Sequence, residues 1–573
     1  MFDQKTLKTI IKEAGLLNPK ELSNAAREAE KKHQTLEDYL ARASLVDEEK
    51  LYQAIAKHLN TPFINLKGYD IKKNLLFLIP SALAFSKQVV AFAKENNELR
   101  IALLDPMDLQ TIEFIKRKTD LPIKAYLTTP SGIKDAFKKY HASLSSDLTI
   151  IKPGIDGENA VQLKKIAEDL PIINIVNSIF EHAVFEGASD IHIEPMEKEV
   201  LIRYRVDGIL KSVMTLPKQV QAGIIARIKI LANLKIDEHM QPQDGRIKLV
   251  IQEEKLSLRV SILPVYDGEK IVMRLLREGS KPLTLDQLGF LPDDKQKIEQ
   301  NIEAPHGIIL ATGPTGSGKT TTLYSILGIL NKPEVNISTI EDPIEYHVSG
   351  INQSQINPRV GYTFATGLRA FLRQDPDIIM VGEIRDAETA EIAIHAAMTG
   401  HIVLSSLHTN DAPTAIPRLL DMGIPSFLIA FTANIIVAQR LVRKICANCK
   451  TAYKLTAENI ADLEKSIDTK KMLELFKKNG CMEPQDQKLK EWTFYRGAGC
   501  SKCNNEGYKG RVGIYEIMVI DKKMAELINK KATVEEIRNA AIKNGFITLL
   551  QDGIVKAKKG ITTLEEVLSA AKE

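Results

Sequence analysis

The sequence predicts a multidomain α/β protein. At about 150 residues per domain, its 573 residues correspond to three or four domains. Short apolar runs of strand type alternate with helical periodicity through the second half. The segment Gly313-Pro314-Thr315-Gly316-Ser317-Gly318-Lys319-Thr320 follows a buried-strand pattern at 307–311 and opens a helical one at 321–330. With 44% hydrophobic and 26% charged residues the chain can bury several cores, which excludes a disordered, collagen-like or disulfide-stapled protein.

The first element is a repeat. Thr6-Leu7, Ala14-Gly15-Leu16-Leu17, Leu22 and Ala25 recur 29 positions later as Thr35-Leu36, Ala43-Ser44-Leu45-Val46, Leu51 and Ala54. Each copy spaces its apolar residues as two short helices. From Thr61 the runs at 89–93 and 99–104, followed by a helical stretch near 108–118, predict a small α/β unit that completes an N-terminal module over 1–141. Residues 142–157, rich in Ser, Asp and Gly, read as a linker. An α+β domain over 158–280 follows. It has helices near 172–187 and 219–234 and strands near 190–195, 200–206, 246–250, 256–263 and 270–277. The core occupies 281–445, and 446–573 is expected to be a cysteine-bearing helical region.

Charge and targeting narrow the classes. Lys+Arg number 77 against 73 Asp+Glu, so a nucleic-acid-coated surface is not expected. The apolar run 427–442 is broken by Thr432, Asn434, Gln439 and Arg440 and falls short of the ~20 residues a membrane-spanning helix needs. The amino terminus lacks a signal-peptide pattern, so the chain is expected to stay in the cytoplasm, where thiols stay reduced.

The glycine-rich segment has every position of a P-loop. Gly313, Pro314, Thr315, Gly316, Ser317 and Gly318 would wrap backbone N–H groups around phosphate oxygens, with Thr321 completing the first helical turn. Lys319 would reach the β- and γ-phosphates of ATP, and Thr320 would ligate Mg²⁺. Strand patterns at 336–340, 377–382 and 402–407 end in polar groups: Glu341, Asp342 and Glu345; Glu383; and His408. In a parallel sheet these ends converge where the phosphates lie. Glu345 is a candidate for activating water and Glu383 for holding the Mg²⁺ shell, whereas His395, inside a helical segment, reads as packing.

With these motifs in this order, the chain resembles the secretion ATPases of the type II and type IV pilus superfamily, closely so the pilus assembly (extension) ATPases. Ser189-Asp190-Ile191-His192-Ile193-Glu194-Pro195, Pro242-Gln243-Asp244-Gly245-Arg246, Arg373 to Asp377, Ala438-Gln439-Arg440-Leu441 and Gly510-Arg511 carry the resemblance. It implies a RecA-like core preceded by a PAS-like α+β domain, and a homo-hexamer at the cytoplasmic face of the inner membrane, touching the membrane only peripherally. ATP hydrolysis would drive pilus assembly through a membrane platform protein. Glu345 would polarise the attacking water, Glu383 would organise Mg²⁺, and His401 and His408 would sense the γ-phosphate. Arg203 and Arg246 from the first domain, and Arg369 and Arg373 from the core, would neutralise phosphates; Arg205, Arg227 and Arg418 are weaker candidates. A type II secretion ATPase shares every motif. A RecA-like nucleic-acid motor is disfavoured by the balanced charge and by the lack of an aromatic-plus-basic strand-tracking stretch.

Cys446-x-x-Cys449 and Cys500-x-x-Cys503 supply four thiolates in two turns, the ligand set of a tetrahedral Zn²⁺. The intervening 450–499 is expected to be a looped-out helical subdomain, with Cys481 a lone thiol. The repeat resembles a tandem cyclic di-GMP module, but Thr6-Leu7-Lys8 and Thr35-Leu36-Glu37 stand where that module has Arg-Leu-Gly. The expectation is therefore no tight binding of cyclic di-GMP.

Overall fold

The structure, a computed structural model, describes residues 4–31, 36, 39–40, 45–76, 78–80, 83–84, 87–137, 160–251, 254–277, 282–484 and 486–572. The linker expected at 142–157 and part of the second repeat, Thr35 and Glu37 included, lie outside these residues. The chain divides into two compact units, Met1–Arg277 and Glu278–Glu573.

In the first unit, helices Gln4–Glu13, Pro19–Lys31 and Glu48–His58 precede a three-stranded sheet. Asp47 caps the third helix by accepting from the Lys50 N–H at 3.0 Å, and Leu51, Tyr52, Ile55 and Ala56 form its buried stripe. Val89–Glu95 and Glu98–Leu103 make a hairpin that turns at Asn96 and Asn97, both at positive φ. Helix Leu109–Thr119 then crosses to Ile123–Leu127, which pairs parallel to the second strand. That last strand is absent from the pattern reading because only Leu127 of its five residues is buried.

The rest of this unit is a six-stranded antiparallel sheet in the order Ile209–Pro217, Glu199–Val206, Asp190–Pro195, Gly268–Arg277, Glu254–Val265, Gln243–Ile251. Ile191, Ile193, Ile202, Tyr204, Val260, Ile271 and Met273 share a core with helices Leu170–Phe185 and Gln221–Leu231. Strand Ile209–Pro217 also escapes the pattern reading: it is an edge strand whose only fully buried residue is Leu216.

In the second unit a seven-stranded sheet has the order Asn352–Gln355, Ile337–Glu341, Ile378–Val381, Ile402–Leu407, Gly307–Thr312, Ala433–Ile445, Tyr508–Val519. The first six are mutually parallel, and the last is antiparallel. Every residue of Gly307–Thr312 is buried, the mark of a central strand covered on both faces. The apolar run near 427–442 is split between helix Ser426–Thr432 and strand Ala433–Ile445. No helix among the described residues is long and apolar enough to cross a membrane.

The segment after 445 departs from the expected helical region. Tyr508–Val519 is a twelve-residue strand that closes one edge of the core sheet, because Val512, Ile514, Ile517 and Met518 bury against it. Nor is 450–499 simply looped out and helical. Strands Lys450–Lys454 and Thr493–Gly497 pair at its base, and Met472, Phe476, Trp492 and Phe494 share a core with Ile554, Val555 and Val567 of the C-terminal helices.

Candidate functional site

The P-loop grows from strand Gly307–Thr312, buried at every residue. Gly313 follows it at φ 145°, where a Cβ would meet the Gln439 carbonyl oxygen at 2.5 Å and Ser317 Oγ at 2.7 Å. Gly318, at φ 90°, is the N-cap of helix Lys319–Leu330. Only glycine fits both places. Lys319 folds back into the loop and donates from Nζ to the carbonyl oxygens of Gly313 at 2.8 Å and Pro314 at 3.1 Å. Burial lowers its pKa, and the charge of Glu383 acts in the opposite sense. Ser317 Oγ is buried without a hydrogen-bond partner among the described residues. A polar orphan beside a helix N-terminus fits a cradle for phosphate. Thr320 and Thr321 lie half-buried in the first helical turn, while Thr315 and Gly316 at the loop tip are exposed.

Three neighbouring strands bring their carboxyl ends to this loop. Glu383 stands two residues beyond Ile378–Val381, pairs with Arg385, and lies 3.1 Å from His408 Nε2. Glu341 ends its strand deeply buried and accepts from Tyr324, from Thr339 Oγ1 at 2.6 Å and from Gln353 Nε2 at 3.2 Å. Its pKa is raised by burial against these three donors. Asp342 is exposed and joined to Pro343 by a cis peptide bond. Glu345 is half-buried in the loop that follows.

Other predicted residues are not brought to this end. His401 precedes strand Ile402–Leu407, seven positions or roughly 23 Å from His408. Its ring Nδ1 lies 2.9 Å from the Ala396 carbonyl oxygen at the end of helix Ala387–Met398. Within the chain, His408 lies beside Glu383 at the P-loop end of the sheet and His401 at the opposite end of the same strand. Arg369 is paired with Glu388 at 2.7 Å, and Arg373 donates to the Arg369 carbonyl oxygen at 2.9 Å. Arg373 lies in the 372–377 segment, which returns to the amino ends of the strands through Asn336 contacts with Gln374 and Asp375. Arg418 is exposed.

In the first unit, Arg203 donates to Glu194 at 2.7 Å, where Lys270 also pairs at 2.8 Å. Arg246 Nε donates to Ser257 Oγ. Arg205 donates to the Gly208 carbonyl oxygen at 3.0 Å, and Arg227 Nε is buried with no hydrogen-bond partner among the described residues.

The sulfurs of Cys446, Cys449, Cys500 and Cys503 lie within 4.8 Å of one another. Three of the separations, Cys446–Cys500, Cys449–Cys503 and Cys500–Cys503, are 3.8, 3.8 and 3.7 Å. Tetrahedral zinc with ~2.3 Å bonds to sulfur requires S···S edges of about 3.8 Å, so the four residues fit that ion. Strand pairing enforces the geometry. Ile445 pairs with Tyr508 on one side of the turns, and Lys450 with Gly497 on the other. Burial, and then the adjoining thiols, push Cys449 up to about 12. A metal would therefore have to displace protons on binding.

A family model described as "Type II/IV secretion system protein" matches residues 165–569. The chain belongs to this family. The "Type IV pilus assembly ATPase PilB" of Myxococcus xanthus is 40% identical over 565 residues, covering 96% of each chain. The protein of the same name from Pseudomonas aeruginosa is 39% identical, over 98% of this chain and 97% of that one. The "Type II secretion system ATPase E" of Vibrio cholerae is 46% identical over 71% of this chain and 76% of its own. The fold is shared with the ATPase DotB of Yersinia pseudotuberculosis, at a TM-score of 0.51 and 22% identity over 70% of this chain and 93% of that one. Relatives named as ATPases along nearly the whole chain make the P-loop core that of a secretion-family ATPase.

A second model, the MshEN domain, matches residues 59–147. It leaves the expectation of no cyclic di-GMP binding without support. Two residues of this secretion-family core were not singled out from the sequence as site residues. Gln439 Nε2 donates to the Ser317 carbonyl oxygen at 2.8 Å, and Thr409 N donates to Thr312 Oγ1 at 3.0 Å. The signal for Gln439 is the register that sets Ala438 opposite Thr312.

Proposed function

We propose that the protein is a cytoplasmic, hexameric ATPase at the inner-membrane face that powers type IV pilus assembly through a platform protein. The observation carrying this reading is the likeness to pilus assembly ATPases over 96–98% of the chain. A type II secretion role is the second reading, favoured by the higher identity over the shorter shared region. The sheet between Asp190 and Arg277 is PAS-like in this reading, and the four cysteines hold a structural Zn²⁺.

At the site, Lys319 leaves its carbonyl acceptors for the β- and γ-phosphates, and Gly313 to Thr321 wrap the rest. Mg²⁺ held by Thr320 and Glu383 would supply charge neutralisation at the phosphates. Glu345 orients and polarises the attacking water, and His408, next to Glu383, reads the γ-phosphate. Arg203, Arg246, Arg369 and Arg373 serve the phosphates of the assembled ring by giving up the partners they hold in the single chain. His401 takes a structural part at the end of helix Ala387–Met398.

Replacing Glu345 by Gln is expected to lower ATP turnover by roughly 10²–10³-fold, measured as phosphate release. A rate equal to wild type would remove Glu345 from its role. Loss of surface pili with protein secretion retained is the expected phenotype of cells lacking the gene, and the reverse would favour the second reading. ATP turnover is expected not to respond to DNA.

A further inference from the structure

Helix Lys319–Leu330 carries, one and a half turns beyond the P-loop lysine, a tyrosine with no exposed surface. The Tyr324 hydroxyl donates to Glu341 and accepts from Gln353 Nε2 at 3.2 Å. The Glu341 carboxylate is in turn held by Thr339 and Gln353. Gln353 closes the circuit: its Nε2 donates to the Tyr346 carbonyl oxygen at 3.1 Å, and its Oε1 accepts from the Val348 N–H at 2.8 Å. The Tyr346 ring packs edge-on against Tyr324, with centroids 4.6 Å apart. A phenol on the phosphate-binding helix is thus tied to the strand-end carboxylate directly and, through Gln353 and the Tyr346 ring, to the loop that carries the residue assigned to water activation.

We propose that Tyr324 and Glu341 are positioning residues that lock the Glu345 loop to the P-loop helix, so that the Glu345 carboxylate keeps one place relative to bound phosphate. Neither reaches the reacting atoms; they act through Glu345, and the inference rests on the reading of Glu345 as the water-activating group. A displacement of about 1 Å at a reacting group costs up to roughly 10²-fold in rate, which sets the scale of effect for a clamp of this kind. Packing alone would need the ring but not the hydroxyl.

The test uses the full chain with Tyr324→Phe, Glu341→Gln, Glu345→Gln and the double variant Tyr324→Phe/Glu345→Gln. Tyr324→Phe keeps the ring in the core and removes only the oxygen. The expected result is a fall in kcat of about tenfold with KM for ATP within about twofold, and a tenfold or greater rise in amide exchange over residues 342–350. Glu341→Gln is expected to move both quantities in the same direction. The double variant is expected to turn over at the rate of Glu345→Gln alone, because a clamp has nothing to position once the carboxylate is gone. An unchanged kcat in Tyr324→Phe beside an inactive Glu345→Gln would overturn the positioning role alone, as would effects that multiply in the double variant. A Glu345→Gln variant at the wild-type rate would overturn the reading beneath it.

Discussion

At the cysteine centre, two turns from distant parts of the chain already place four ligand atoms within 4.8 Å of one another. At the P-loop the chain gathers Lys319, Glu383 and His408 but leaves Arg373 and His401 toward the amino ends of the strands. The cysteine turns are flanked by two strand pairs in fixed register, so nothing has to move for a metal to be held. The charged groups proposed for the nucleotide site are instead parked on protein partners: Lys319 on loop carbonyls, Glu383 on Arg385 and His408, and Arg369 on Glu388. A site that stabilises the fold can be preassembled, whereas one that turns over holds its charges on partners it can exchange.

The largest effect is expected where the geometry is most complete. Cys449→Ser should reduce zinc from one equivalent per chain to a small fraction, measured by metal analysis of the purified protein. Structural zinc is worth roughly 10 kcal/mol or more in small peptides, and even ~3 kcal/mol lost here would lower Tm on the order of 5–10 °C. Because Cys449 is pushed up to about 12 before any metal binds, zinc uptake should release protons and weaken as the pH falls. A serine variant that keeps a full zinc equivalent would break the contrast between the two sites.

A smaller effect separates the two histidines. Removing the His408 ring takes away the partner 3.1 Å from Glu383, and His408→Ala is expected to lower kcat about tenfold. His401→Ala removes a ring that faces the Ala396 carbonyl oxygen at the other end of the strand, and kcat should stay within about twofold. Steady-state phosphate release on both variants is the measurement. Equal losses would mean that His401 meets nucleotide across a contact between chains.

These contrasts also show what the sequence could carry. The P-loop was legible because eight consecutive residues specify one local backbone path, and the cysteine tetrad because two C-x-x-C turns allow few other arrangements. The edge strand Ile209–Pro217 and the short strand Ile123–Leu127 were not legible, since half-exposed strands lose the alternation that marks them. The strand Tyr508–Val519 was missed for another reason: its partner Ala433–Ile445 lies on the far side of the cysteine excursion, and no local pattern reports a pairing at that distance. The two ends of strand Ile402–Leu407 make the same point. Both histidines flank one apolar run, and only the direction of the strand in the sheet assigns one of them to the P-loop.

The smallest expected effect concerns an arginine already committed to a partner. Glu194 is almost fully buried. Burial alone would raise its pKa, but the hydrogen bonds from Arg203 and Lys270 outweigh that and hold it at about 2. An unfolded glutamate titrates near about 4.3, so the folded state binds fewer protons between the two values. The stabilisation from this group is therefore complete above about pH 5 and is lost as the pH falls toward 2. Arg203→Ala leaves Lys270 as the remaining charged partner, so the loss at neutral pH is expected at the low end of the roughly 1–3 kcal/mol that follows removal of one partner of a buried acceptor. Thermal unfolding at pH 7 and pH 2 should show the variant's deficit shrinking on acidification, because the wild type gives up the same interaction once Glu194 is protonated in the folded chain. A deficit that is the same at both pH values would mean that Arg203 stabilises the folded chain through something other than its pair with Glu194.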